Sequence, residues 1–285
     1  MKTILVPTDF SSTAKNAAMY AINFAKQLKY ERIILYNAYQ APLTTDPDIA
    51  MINTVDITEL EKSSKTNLEN FKMLLKPYCD ASVTLDIISE YGAVTYDINE
   101  ICKSNEVDFI VMGVTGVGKV EETLIGSFAI DVARRSEVPV IIVPPDATFT
   151  KIEEVMLACD FSKVVETTPV ESIKKLLDAS EAKLFVVNID HNNKRFNADT
   201  PFESLMLDTL LYDYKPEYRF IDDPDFVEGI NKAALDKQVD LIITIPKKMG
   251  WFEGLFKKSR TKMLAYHSHV CSIVKLVLTN FKEER

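Results

Sequence analysis

The sequence repeats itself in its two halves, and this duplication limits the possible folds more than any other feature. Residues 2–40 align without gaps on residues 153–191 at a constant offset of 151, which places Asp9-Phe10-Ser11 on Asp160-Phe161-Ser162. Residues 107–143 align on residues 239–275 at an offset of 132. The period is about half the chain, whereas solenoid repeats are about 20 to 50 residues long. The pattern therefore indicates a duplicated domain.

Each copy alternates short apolar runs with segments of helical periodicity. In the first copy the predicted strands are 3–7, 33–38, 83–89, 109–113 and 140–143, and the predicted helices are 11–28, 58–78, 93–105 and 126–136. In the second copy the predicted strands are 155–158, 184–189, 217–221, 241–245 and 272–277. Such alternation predicts an α/β fold, because parallel strands need long crossover connections.

Length and composition set the domain count and exclude some partners. A chain of 285 residues is long enough for two domains, and we predict domains at residues 1–146 and 147–285. The proline-rich segment 144–151 is the predicted linker. A net charge of −9 disfavours binding to nucleic acid, whose backbone is also negative.

The sequence also bears on the cellular compartment. No run approaches the roughly 20 apolar residues that span a bilayer, so we expect no integral membrane segment. The chain begins without the long apolar run of a secretion signal. Its four cysteines lack C-x-x-C spacing, which is compatible with a reducing environment. We therefore expect a cytoplasmic protein.

Residues 113–127, GVTGVGKVEETLIGS, contain four of the 8 glycines of the chain. The segment nearly matches the P-loop pattern GxxxxGK[ST], with Gly113, Gly118 and Lys119 in place. Val120, however, stands where a P-loop needs a hydroxyl to bind Mg²⁺. The segment also follows the fourth predicted strand rather than an early one. A P-loop is therefore not the favoured interpretation.

A second spacing, Gly113-x2-Gly116-x9-Gly126-Ser127, fits completely. Residues without a Cβ let backbone N–H groups approach a polyphosphate closely. Gly126-Ser127 would place free amides and a hydroxyl at a helix N-terminus, which favours anions. The alternative is a tight surface turn, which is less expected where a glycine-poor chain concentrates its glycines.

The chain resembles the nucleotide-binding branch of the universal stress protein family. The resemblance is carried by VPTDFS at 6–11, VMGVTG at 111–116, GS at 126–127 and EVPVIIVPP at 137–145. It implies a Rossmann-like, adenine nucleotide alpha hydrolase-like fold in two tandem five-stranded domains. The glycine spacing matches the ATP-binding signature of that family, which implies ATP, ADP or AMP as ligand, with Mg²⁺ as a candidate counter-ion.

The resemblance also implies roles for individual residues. Asp9 would hydrogen-bond the sugar or adenine, Pro7 and Ala38 would line the adenine pocket, and Met112 and Gly113 would lie beside the ribose and first phosphate. The residues implied around the phosphate chain are Gly116, Gly126, Ser127 and the amide of Phe128.

The position of Asp9 supports its role independently of the resemblance. A lone carboxylate just after the first strand of a parallel sheet faces the usual ligand crevice. The alternative is that Asp9 caps the following helix, although Ser11 or Ser12 could supply that cap instead.

The second copy lacks the glycine pattern. Ile245, Lys248 and Lys258 align with the three glycines, and Ser259 aligns with Ser127. Bulky side chains would occupy the space that phosphates need. The sequence thus predicts one nucleotide site per chain, in the first half.

A basic and aromatic segment, residues 247–262, replaces the glycine pattern in the second copy. It contains six basic residues and one acid, with Trp251 and Phe252 among its aromatic residues. It could dock a partner, an anionic ligand or a lipid surface. Alternatively, the aromatic residues cover the former pocket and the lysines are solvated.

The sequence HSHVC brings His267, His269 and Cys271 together as candidate zinc ligands. One strand-like segment presents at most two or three ligands to a tetrahedral metal. The simpler interpretation is that Cys271 is a small buried residue at the start of a strand, and we predict no metal site.

No catalytic pattern stands out in the sequence. ATP hydrolysis needs a positioned water and a cation at the γ-phosphate, and only Lys119, Glu121 and Glu122 lie nearby in sequence. The favoured function is a nucleotide-dependent regulatory binding module. The alternatives are a weak ATPase and an ATP-independent docking protein that uses residues 247–262.

The last strand of each copy is apolar enough to pair with the other. Such pairing would make the chain an intrachain pseudo-dimer, and the sequence leaves open whether two chains form a homodimer. It does not identify the protein partner.

Overall fold

The computed structural model describes residues 2–40, 56–113, 127–145, 147–192, 198–245 and 271–274. The elements of the first half are β1 (Thr3–Pro7), α1 (Ser12–Leu28), β2 (Arg32–Tyr39), α2 (Ile57–Leu75), β3 (Thr84–Tyr91), α3 (Val94–Ser104), β4 (Val107–Gly113), α4 (Ser127–Arg135) and β5 (Val140–Val143). Those of the second half are β6 (Glu154–Ala158), α5 (Val164–Thr167), α6 (Val170–Ser180), β7 (Lys183–Asp190), α7 (Thr200–Leu210), β8 (Glu217–Asp222), α8 (Phe226–Asp236), β9 (Leu241–Thr244) and β10 (Cys271–Val274). Short 3₁₀ turns follow α2 at Lys76–Tyr78 and α7 at Tyr212–Tyr214.

The described strands form one sheet in the order β3-β2-β1-β4-β5-β10-β9-β6-β7-β8. Strand pairing is parallel within each half. The two halves join through an antiparallel pair, in which Ser272 lies opposite Ile142 and Val274 opposite Val140. The predicted fold class is confirmed, and the last strands pair as predicted. The boundary at residue 146 stays a prediction.

Both faces of the first half are covered by helices, which explains why its strands are apolar throughout. All five residues of β1 are buried. Helices α1 and α2 cover one face, and α3 and α4 cover the other. The crevice at the carboxyl ends of the strands therefore lies between two layers of helix.

The duplication extends to unusual backbone geometry. Phe10 and Phe161 both have positive φ, at 65° and 47°, which is uncommon for a bulky residue. The Asn37 side-chain amide donates to the Thr8 carbonyl at 2.7 Å, and that of Asn188 donates to the Cys159 carbonyl at 2.8 Å. The turn after the first strand is thus built in the same way in both halves.

The helix after that turn differs between the halves. Helix α1 is continuous over 17 residues, whereas α5 ends at Thr167 and α6 begins at Val170 after Pro169. Proline lacks an N–H and disfavours helical backbone in the preceding residue. One helix of the first half therefore corresponds to two shorter helices in the second.

The linker is held against α1. The side-chain amide of Asn16 donates to the carbonyls of Pro144 and Ala147 at 3.1 and 2.9 Å. The side chain of Gln27 exchanges two hydrogen bonds with the backbone of Ile152, at 2.9 and 2.8 Å. None of the helices in the described ranges combines the length and apolar character needed to cross a bilayer.

Candidate functional site

The candidate site lies beyond the carboxyl ends of β1, β2 and β4. Strand β1 has β2 on one side and β4 on the other, so the strand order reverses here, and parallel α/β sheets bind ligands at such a point. Pro7 ends β1 and Gly113 ends β4, while Ala38 is the second-last residue of β2. The structure therefore brings these predicted residues to one edge of the sheet.

Asp9 follows β1 and is exposed. Its Oδ1 accepts a hydrogen bond from the amide of Ser11 at 3.0 Å. Ser11, in turn, caps α1, because its Oγ accepts from the amide of Ala14 at 3.2 Å. Since Ser11 supplies the cap, Asp9 is not the N-cap, and its carboxylate lies at the solvent side of the crevice.

Gly113 has a structural reason to be glycine that is independent of any ligand. A Cβ at this position would lie 2.5 Å from the carbonyl oxygen of Thr13 and 2.8 Å from its carbonyl carbon. The end of β4 thus packs directly on the backbone of the first turn of α1. The glycine alone therefore does not identify a phosphate site.

The start of α4 follows the glycine-rich segment. Helix α4 begins at Ser127, and the side chain of Phe128 is 43% exposed. Gly116 and Gly126 lie outside the described residues, as do Lys119, residues 247–262, His267 and His269. Cys271 is the first residue of β10. No cluster of three metal-binding side chains occurs within the described ranges.

A network of side-chain hydrogen bonds connects the ends of the strands. It lies on the face of the sheet that α2 covers, opposite to α3. Ser64 of α2 donates to Asn37 Oδ1 at 2.7 Å and accepts from Ser89 of β3 at 2.7 Å. Asn37 itself donates to the Thr8 carbonyl. This network joins β1, β2 and β3 where the crevice begins.

The same crevice in the second half is filled by a side chain. Ile189 aligns with Ala38 and is only 3% exposed. Its Cγ2 would lie 3.0 Å from a Cβ placed on Gly229 of α8. Ile245, which aligns with Gly113, packs against the main hydrophobic core. The second half thus places an isoleucine where the first half has an alanine.

Two polar groups beside the first crevice are not apparent from simple motif reading. Asp97 lies in the first turn of α3 and aligns with Gly229. Tyr36 of β2 is fully buried, and its hydroxyl has no hydrogen-bond partner. Burial raises the pKa of Tyr36 far above its usual value, and the nearby carboxylates of Glu90 and Asp97 raise it further. The spacing of Asp97 from Val94 and Ile101, three and four residues away, is the signal that could have found it.

Comparison with known proteins agrees with the fold. Residues 1–144 match the universal stress protein family. Two universal stress proteins of Methanocaldococcus jannaschii are 32% and 31% identical over 142 and 157 residues. Each alignment covers 50% of this chain, and they cover 81% and 94% of the respective relative.

A solved structure resembles the chain over both halves. The crystal structure of a universal stress protein from Archaeoglobus fulgidus superposes with a TM-score of 0.68 at 18% identity. The superposition covers 96% of this chain and 98% of that one. At this identity the likeness concerns the fold alone, whereas the match over residues 1–144 concerns the sequence. The chain therefore belongs to the universal stress protein family.

Proposed function

We propose that the first half of the chain binds an adenine nucleotide, ATP, ADP or AMP, in the crevice between β1, β2 and β4. In this proposal the second half binds none, and the protein acts as a nucleotide-dependent regulatory module in the cytoplasm. Pro7 and Ala38 would contact the base, and Asp9 would accept hydrogen bonds from the sugar.

The observation that carries the proposal is the contrast between Ala38 and Ile189. Both residues lie one position before the end of their strand, on the face covered by α3 or α8. The buried side chain of Ile189 fills the second crevice against Gly229. Alanine carries three fewer carbon atoms, so part of the equivalent volume in the first half, beside Asp97, would be left for a flat base.

The start of α4 supports the phosphate end of the proposal. Helix N-termini carry unpaired N–H groups and a partial positive charge, which favour phosphate. Ser127 and Phe128 supply the first amides of this helix. Gly116 and Gly126 would complete the contacts to phosphate, and Mg²⁺ would neutralise part of its charge.

A nucleotide in this position would also contact the segments that follow β2 and β4. Those segments are residues 41–55 and 114–126. Binding would thus change the surface that the first half presents to a protein partner. We expect a binding module without rapid turnover to act through this change in surface, which would alter its binding to a protein partner.

Calorimetric titration of the full chain with ATP and Mg²⁺ tests the proposal. We expect one site per chain. Ala38→Ile should weaken binding about tenfold or more, because added methylenes would occupy the base volume. Ile189→Ala is the matched control and should leave affinity for the first site unchanged. Absence of binding, or two equal sites, would contradict the proposal, and a single-turnover hydrolysis assay would separate a binding module from a weak ATPase.

A further inference from the structure

Asp97 occupies a position of α3 where an apolar residue is expected. The buried residues Val94, Ile98 and Ile101 form the stripe of α3 that packs on the sheet. Asp97 lies three residues after Val94 and four before Ile101, which is the spacing of that same stripe. The side chain is half-buried. A carboxylate therefore stands on the inner face of the helix that covers the crevice.

The carboxylate of Asp97 makes no hydrogen bond or ion pair with another side chain in the described part of the chain. It lies against Gly92, the residue after β3, where a Cβ would be 2.4 Å from Asp97 Oδ2. Its place in the first turn of α3 favours a negative charge there. A partly buried charge without a hydrogen-bond donor nevertheless costs free energy. The position is thus suited to a donor that arrives with a ligand.

Tyr36 provides a second and independent observation. Its hydroxyl is buried without a partner, although buried polar groups are nearly always hydrogen-bonded. Tyr36 lies two residues before Ala38, and residues two apart on a strand share a face. It packs in the same cluster as Val94, Ile98 and Met112. An unpartnered hydroxyl and a carboxylate without a side-chain partner therefore lie on the same face of the sheet, towards the carboxyl ends of β2 and β3.

Both groups are absent where the crevice is filled. At an offset of 132 Asp97 corresponds to Gly229, and at an offset of 151 Tyr36 corresponds to Val187. Val187 and Gly229 lie beside Ile189 on β7 and α8. The first half thus combines a small strand residue with Tyr36 and Asp97, and the second half combines a large strand residue with a valine and a glycine at these two positions. The polar pair therefore occurs in the half whose strand residue is small.

We propose that Asp97 and Tyr36 bind the edge of the base, with Asp97 accepting from a 6-amino group and so selecting adenine, and Tyr36 donating to the adjacent ring nitrogen. The inference rests on the proposed nucleotide site. Adenine offers an amino donor beside an acceptor nitrogen, which complements this pair. A 6-oxopurine such as hypoxanthine offers an acceptor beside an N–H donor. It would place its oxygen against the carboxylate of Asp97, which only accepts, whereas the hydroxyl of Tyr36 could accept from its N–H, so the discrimination between the bases rests on Asp97.

Competition between ATP and inosine triphosphate tests the inference, because the two nucleotides differ at these two positions. Affinities are measured by calorimetry for the full chain and for Asp97→Ala, Asp97→Asn and Tyr36→Phe. The matched control is Glu100→Gln, which changes an exposed acid of the same helix. Thermal melting of each variant without nucleotide verifies folding.

We expect the unmodified chain to prefer ATP about tenfold or more, since a site built for hydrogen bonds rejects an analogue that cannot make them. Asp97→Ala should lower ATP affinity about tenfold and leave inosine triphosphate nearly unchanged. Asp97→Asn should reduce the preference by raising the affinity for inosine triphosphate, because the asparagine amide can also donate to a 6-oxo group. Tyr36→Phe removes only the hydroxyl and should weaken both nucleotides while largely keeping the preference, whereas Glu100→Gln should change neither affinity.

Two results would overturn the inference while leaving the proposed function intact. One is equal affinity of the unmodified chain for both nucleotides. The other is an unchanged preference in Asp97→Ala. If the unmodified chain binds neither nucleotide, the proposed function itself fails, and the inference fails with it.

Discussion

Ile189 of β7 packs so closely on Gly229 of α8 that a Cβ on the glycine would lie 3.0 Å from Cγ2 and 3.1 Å from Cδ1 of the isoleucine. The corresponding residues of the first half are Ala38 and Asp97. In the second half the larger of the two side chains is thus on the strand, and in the first half it is on the helix. The two halves therefore fill the space between strand and helix with different chemistry, an apolar side chain in the second half and a carboxylate in the first.

The contact between Ile189 and Gly229 predicts that the two positions are coupled. Gly229→Ala should destabilise the chain, because overpacking costs about 1–3 kcal/mol and exceeds the helix-propensity gain of about 1 kcal/mol. In an Ile189→Ala background the same change should become less destabilising, since the two nearest atoms are then absent and only the Cβ of Asp223, 3.3 Å away, remains as a close neighbour. Urea unfolding of the two single variants and the double variant measures the coupling. Additive effects would show that the two side chains do not compete for one volume.

Gly113 should respond differently, because it faces backbone rather than a side chain. Gly113→Ala would place its Cβ 2.5 Å from the carbonyl oxygen of Thr13, so β4 or α1 must move. We expect a loss of more than about 1 kcal/mol in unfolding free energy, measured without nucleotide. Thr13→Gly should not rescue the variant, since the clash is with main-chain atoms. A fully stable Gly113→Ala protein would contradict the close packing of β4 on α1.

The repeated fold could be predicted from the sequence because its causes are local. Alternating apolar runs and helical periods placed all ten strands within a few residues, and the offsets of 151 and 132 related the two halves. Pairing of the last strands followed from their apolar character. The interruption of the second-half helix at Pro169 was not predicted, although its cause is a single residue whose effect on helix geometry is known.

The candidate site was predicted less completely, because its causes lie between distant residues. Gly113 was interpreted through phosphate binding, but the structure adds a contact with Thr13, which lies 100 positions earlier in the chain. Asp97 belongs to no sequence motif that we recognised, and its role depends on which face of α3 packs on the sheet. Three-dimensional packing, rather than residue type, supplies this information.

Ser64 should contribute to stability through the network that joins three strands. Ser64→Ala would leave Asn37 Oδ1 and the hydroxyl of Ser89 without their partner, and an unsatisfied buried group costs about 1–3 kcal/mol. Thr66→Ala is the control on the same helix, because Thr66 is exposed and its hydroxyl donates to the carbonyl of Lys62 in its own helix. Its effect should stay within about 0.5 kcal/mol. Equal urea midpoints for the two variants would exclude an energetic role for the network.

Cys102 of α3 should resist alkylation in the native protein. The thiol is buried, and burial raises its pKa from 9.0 to about 12. The reactive species is the thiolate, whose fraction at pH 8 would be about 10⁻⁴ when the pKa is about 12. Unfolding returns the pKa to its ordinary value and exposes the sulfur. Iodoacetamide at pH 8 should therefore modify Cys102 only in denaturant, as read by peptide mass spectrometry.

The pH dependence of stability follows from the same shift in the pKa of Cys102. A folded pKa above the unfolded value means that the native state holds the proton more tightly. The resulting contribution to stability is present below pH 9 and declines as the pH rises toward 12. Cys102→Ser removes the thiol while retaining a side chain of similar size, so its loss of stability between pH 9 and 10.5 should be shallower than that of the unmodified chain. Parallel slopes in urea unfolding over this interval would show that the buried thiol does not contribute to the alkaline decline.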